Sequence, residues 1–97
     1  MAMSRVCYVV AYDIADDDRR ADLAMFLSGY GPRVQLSVFE VELPDADTAV
    51  AFRERLRSLI DPNDDQVRLY RLTPQALGQR IIYGRRTIEE RVDFWIV

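Results

Sequence analysis

The run Val6 to Tyr12 constrains this chain more than any other segment, because it is apolar on both parities and rich in Val and Tyr. A strand with no polar side has no face to give to water. It belongs in the middle of a sheet, covered front and back. The strand is expected over Arg5 to Tyr12, with Asp13 at its carboxyl end. Residues 1–97 fit a single domain, and a chain of this length buries only about 60–65% of the surface its unfolded form exposes. A deep private cleft is not expected. The apolar run is far shorter than the roughly 20 residues a membrane span requires, and it ends in Asp13 without a small-residue cleavage pattern. The chain therefore reads as cytoplasmic, with no membrane partner.

The remaining pattern supplies what a central strand needs. Asp16, Asp17 and Asp18 offer a cap and first-turn carboxylates to a helix whose apolar positions Leu23, Phe26, Leu27 and Tyr30 recur at i, i+3, i+4 and i+7. Gly29 and Gly31 end it, and Pro32 prevents its continuation. Val34 to Leu43 reads as one strand whose apolar parity slips partway, which predicts a β-bulge near Val38. Pro44 and Asp45 lead into a second helix with Ala49, Phe52, Leu56, Leu59 and Ile60 on one face; Arg53, Arg55 and Arg57 fall on its solvated side. Asp61 to Asp65 is a turn by composition. Gln66 to Leu72 alternates as a strand, Pro74 to Gln79 suits a short turn or helix, and Arg80 to Tyr83 reads as a late strand broken by Gly84. The β-prone run Val92 to Val97 is placed to add to a sheet edge in its own subunit, a twin or another protein.

This order is close to the split βαβ pattern of a ferredoxin-like α+β sandwich, an antiparallel sheet with two helices on one face. Right-handed crossovers put the first strand at the sheet's centre. The other sheet face is left bare. At this size a second copy covers it most easily, so a homodimer through the sheet face is the expected state.

The composition contributes mainly by what it lacks. There is no His, and all 13 basic residues are Arg. That excludes Ser-His-Asp and Cys-His nucleophiles, a His acid/base pair and any lysine Schiff base. A single cysteine, Cys7, makes neither an internal disulfide nor a thiolate zinc site, and its apolar surroundings read as a buried thiol. The formal net charge of −3 is unlike that of most nucleic-acid binders. Its distribution is uneven, however. Residues 66–97 hold six Arg against three acids, so local patches matter more than the total.

Three groups stand out, each with a plainer alternative. Asp13 lies where a central strand emerges, a common place for ligand-binding groups; the alternative is a cap or solvated turn residue. Arg19, Arg20 and Arg33 suit phosphate contact through their forked guanidinium; the alternative is local pairing with Asp16, Asp17 and Asp22. Arg80, Arg85, Arg86 and Arg91 could line a surface that contacts a nucleic-acid backbone.

Tyr12-Asp13-Ile14 with Asp16-Asp17 and Arg19-Arg20, Tyr30-Gly31-Pro32-Arg33-Val34-Gln35, Ser37-Val38-Phe39-Glu40, and Ile60-Asp61-Pro62 before Val67-Arg68-Leu69-Tyr70 together resemble the CRISPR-associated Cas-two family over nearly the whole chain. The resemblance implies a ferredoxin-like homodimer that works with the CRISPR integrase in acquiring spacers, with metal-dependent endonuclease activity on RNA or DNA. It matches Asp13 to the metal-binding aspartate, and Arg20, Arg33, Ser37 and Phe39 to positions of the nuclease site. Arg19, Arg20, Arg33, Arg85 and Arg86 are the expected nucleic-acid contacts, with duplex DNA or RNA. One carboxylate per chain is a sparse metal site, but a two-fold axis can bring two Asp13 residues together around Mg²⁺ or another hard divalent cation. The alternative role is a non-catalytic DNA-binding scaffold that bridges integrase subunits. Fold alone also permits a small-ligand regulatory domain or a toxin-type nuclease.

Overall fold

Residues 4–84 are described by the structure, a computed structural model. Arg85, Arg86, Arg91 and the run 92–97 lie outside them. The elements are β1 (Val6–Asp13), α1 (Asp17–Ser28), β2 (Arg33–Gln35), β3 (Val38–Leu43), α2 (Ala46–Ser58), β4 (Gln66–Leu72) and α3 (Pro74–Gly78). The sheet order is β2-β3-β1-β4, antiparallel throughout. This is the ferredoxin-like βαββαβ arrangement, with the apolar run of β1 between two neighbours as its composition requires.

The core lies between one sheet face and both long helices. Val6, Tyr8, Val10 and Tyr12 of β1 and Phe39, Val41 and Leu43 of β3 pack with Leu23 and Leu27 of α1 and Ala49, Phe52 and Leu56 of α2. Phe52 stacks on Tyr8 (6.3 Å between centroids) and Phe26 (5.3 Å), and meets the edge of Tyr30 at 4.9 Å. Both helices start where the acids predict. Asp16 accepts Arg19 N at 2.9 Å and Asp45 accepts Thr48 N at 2.8 Å, each supplying an acceptor that the first turn lacks.

Two expected elements are corrected. Val34 to Leu43 is not one bulged strand but the hairpin β2–β3, turning at Leu36-Ser37. The parity slip marks the turn; the irregular pairing lies on the β2 side, between Arg33 and Gln35. No Gly, Asn, Asp or Pro announces the turn; a bond from β1 and the side chain of Arg33, three residues back, hold it in place of turn chemistry. Tyr12 N donates to Ser37 O at 3.0 Å, and the Leu36 carbonyl accepts from Arg33 Nη2 at 2.8 Å and Nε at 3.0 Å. Arg80 to Tyr83 is not a strand in the described residues: Ile81, Ile82 and Tyr83 are exposed and join neither edge of the sheet.

The second sheet face is also less bare than expected. Alternation along β1 puts Cys7, Val9 and Ala11 there, with Tyr70 and Leu72 of β4 and Val38 of β3. Helix α3 lies against β1 and β4. Its Leu77 is buried, as is Cys7, and burial pushes the Cys7 thiol up. Arg80 reaches Glu40 of β3 at 3.1 Å.

The Tyr30-Gly31-Pro32 stretch runs beside β3. Glu42 N donates to Tyr30 O and Glu40 N to Pro32 O, both at 3.1 Å. Between them, Gly31 is so close that a Cβ built on it would sit 1.8 Å from the Glu40 carbonyl oxygen. Glycine is required there for room rather than for conformational freedom.

Candidate functional site

Asp13 is the last residue of β1, in register with Gln66 at the start of β4, and its carboxylate is exposed. The two loops beside it are built from charged contacts. Arg20, near the start of α1, donates Nη2 to the Ile14 carbonyl at 2.7 Å and pairs through Nη1 with Asp17, the local partner that helix spacing offers. Arg19 takes a different partner. Its Nε and Nη2 fork onto both oxygens of Asp65, at 2.8 and 3.1 Å, although Asp65 lies 46 residues on, in the α2–β4 loop.

Asp65 was legible in the sequence only as one acid among three in a turn. Its side chain is 0% exposed, and it accepts Ala15 N at 2.9 Å and Asp61 N at 2.8 Å besides the Arg19 fork. A carboxylate out of water needs such a full set of donors. The Arg19 guanidinium holds the Asp65 carboxyl well below the usual carboxylate range, helped by the two backbone N–H groups and opposed by desolvation. The same bonds push Arg19 up.

Because the folded value is depressed, the stability Asp65 supplies is complete above the unfolded carboxylate value of about 3.9 and is lost as pH falls through the folded one. Asp65→Asn is therefore expected to lower the urea midpoint by a constant amount between pH 7 and pH 5. The gap to the unsubstituted protein should then narrow below about pH 4. A gap that stays constant down to pH 2 would show that the carboxylate's charge contributes nothing.

On the other side of Asp13, Tyr12 gathers three of the predicted residues. Its N–H binds the Ser37 carbonyl, its hydroxyl approaches Arg33 Nη2 at 3.4 Å and the Leu36 carbonyl at 3.3 Å, and its ring stacks on Phe39 at 6.3 Å. Arg33 also lies over the Phe39 ring, 5.8 Å from its centroid. Ser37 is half-buried, while Phe39 is 1% exposed beneath the Arg33 guanidinium. Arg20, Arg33, Ser37 and Phe39 are thus brought around the carboxyl end of β1. Arg19 is committed to Asp65, and Arg85 and Arg86 lie outside the described residues.

Among the described residues no three His, Cys, Asp or Glu side chains converge on one point. Asp13 alone offers one exposed hard oxygen donor. That donor set suits a cation that keeps most of its water, as Mg²⁺ does when one or two carboxylates anchor it. It does not suit a dehydrated all-protein cage.

Comparisons with known proteins converge. The family model described as CRISPR associated protein Cas2 matches residues 6–80. A Chloroflexus aurantiacus protein named "CRISPR-associated endoribonuclease Cas2 3" is 47% identical over 76 residues, spanning 78% of this chain and 81% of its own. The crystal structure of Streptococcus pyogenes Cas2 at pH 6.5 superposes with a TM-score of 0.68 at 29% identity, covering 82% of this chain and 99% of that one. A chain from a structure described as a partial Cas6-RT-Cas1–Cas2 complex gives a TM-score of 0.66 at 27% identity, covering 86% and 96%.

Proposed function

The chain belongs to the CRISPR-associated Cas2 family, and from that premise we propose that it is a homodimeric spacer-acquisition protein that partners the Cas1 integrase, binds nucleic acid and carries a Mg²⁺-dependent phosphodiesterase site at Asp13. The observation that carries the catalytic half is the exposed Asp13 carboxylate at the end of the central strand, with Arg20 anchored one residue away on the Ile14 carbonyl. Asp13, paired with its symmetry copy, would hold the cation. When bound, the ion supplies a more acidic water and neutralises phosphate charge. Arg20 and Arg33 position the phosphodiester, and their fixed forks stabilise its equatorial oxygens. With no His in the chain, the side chain most often used as a general base near neutral pH is absent. The half-buried Val9, Ala11 and Val38 and the exposed Ile81, Ile82 and Tyr83 support the dimer.

The test is cleavage of RNA and DNA oligonucleotides by the purified chain in Mg²⁺, after EDTA, and after Mg²⁺ is restored. Cleavage should be lost with EDTA and return with the metal. Cleavage that EDTA leaves unchanged would overturn the metal site. A second reading is favoured by the neighbour found in a complex with Cas1: a scaffold whose arginines hold phosphates without breaking them. Full spacer integration with Cas1, together with no cleavage in Mg²⁺, would select it.

A further inference from the structure

Asp65 is a buried carboxylate to which the proposed reaction gives no role. It nevertheless sits where the two loops beside Asp13 meet. It directly precedes Gln66, the register partner of Asp13, and it accepts the N–H of Ala15, two residues beyond Asp13. The Asp61 N–H and the Arg19 fork complete its bonds, so the α2–β4 loop, the β1–α1 loop and the first turn of α1 share one anion. Arg20, next to Arg19, holds the intervening Ile14 carbonyl. Each link of Asp13-Ile14-Ala15 is therefore fixed: the first by strand register, the second at its carbonyl, the third at its amide.

We propose that Asp65 is a positioning residue for Asp13, a buried clamp that fixes where the ligating carboxylate leaves β1; this rests on the reading of Asp13 as a metal ligand. A single exposed carboxylate that anchors a largely hydrated cation has few contacts of its own to orient it. Its aim comes from the backbone that carries it. Groups that orient a ligand from behind commonly change metal affinity about 10–100-fold when removed. The clamp is also charge-assisted and bidentate, which gives it direction as well as strength. A neutral amide at position 65 can accept fewer bonds and cannot satisfy the Arg19 charge.

The experiment measures Mn²⁺ binding by electron paramagnetic resonance on the full chain. It compares the unsubstituted protein with Asp13→Ala, Asp65→Asn, Asp65→Glu and Arg19→Lys, with the melting temperature of each measured alongside. Amide exchange at Ala15 reports whether the clamp is open. Asp13→Ala should lose Mn²⁺, and Asp65→Asn should bind it about tenfold more weakly, with faster exchange at Ala15. Asp65→Glu should recover part of the affinity. Arg19→Lys keeps the charge but loses the fork, and should fall between the two; it decides the matter if Asp65→Asn does not fold. A folded Asp65→Asn that opens at Ala15 and still binds Mn²⁺ as tightly as the unsubstituted protein overturns the positioning role while leaving the metal site intact. Undiminished binding by Asp13→Ala overturns the metal site itself, and the clamp's purpose with it.

Discussion

Gly31→Ala is expected to cost about 3 kcal/mol, the upper end of what overpacking does to a well-packed region. For a domain of this size that lowers the melting temperature by about 12–24 °C. The cause is specific. The new Cβ would meet the Glu40 carbonyl oxygen at 1.8 Å, the Glu40 carbonyl carbon at 2.8 Å and Val41 Cα at 2.9 Å. All three are backbone atoms of a strand that sits second in the sheet, so no side chain can swing aside to make room. Relief requires Tyr30-Gly31-Pro32 to move off β3. That movement breaks the bonds from Glu40 N and Glu42 N and pulls Tyr30 away from Phe52. Gly78→Ala is the control, because a Cβ there meets nothing within 4 Å, and it should leave the melting temperature nearly unchanged. Equal melting temperatures for the two variants would mean that residues 30–32 do not lie along β3.

The second large effect is on activity. Asp13→Ala should reduce Mg²⁺-dependent cleavage at least about a hundredfold, since the charge stabilisation a metal supplies is several kcal/mol and each factor of ten corresponds to about 1.4 kcal/mol. The fold should survive, because the side chain is exposed and the core residues Tyr12 and Ile14 on either side of it are untouched. The loss should appear in kcat more than in KM, with the arginines still binding the phosphate backbone. Oligonucleotide affinity measured in EDTA should accordingly be equal for the two proteins. Cleavage at an undiminished rate by Asp13→Ala would place the activity elsewhere.

The parts of the fold that local pattern could reveal are those in which one segment carries its own instructions. The two-sided apolar run of β1, the acids Asp16 and Asp45 at the two helix starts, and the alternation of Gln66 to Leu72 each state an element without reference to the rest of the chain. The hairpin at Leu36-Ser37 was not legible, because its turn has none of the usual residues and is held by Tyr12 from β1 and by the Arg33 side chain from the hairpin's own first strand. Arg80 to Tyr83 shows the reverse failure: β-prone composition alone does not make a strand, and among the described residues this run pairs with neither edge of the sheet.

At the candidate site the division is similar. Asp13 could be singled out because a charge at the end of a buried strand has a predictable place. Asp65 could not, because which of Asp61, Asp64 and Asp65 is withdrawn from water depends on Arg19, far away in the chain. Local pattern was enough for both long helices, for the central place of Val6 to Tyr12, and for a chemistry limited to carboxylates, hydroxyls, arginines or a bound metal by the absence of His and Lys. Which arginine is tied to a buried acid, which lies over an aromatic ring, and why Gly31 must be glycine emerge from the folded chain alone. Those are relations between segments brought together by burial of a shared core, and periodicity within a segment does not encode them.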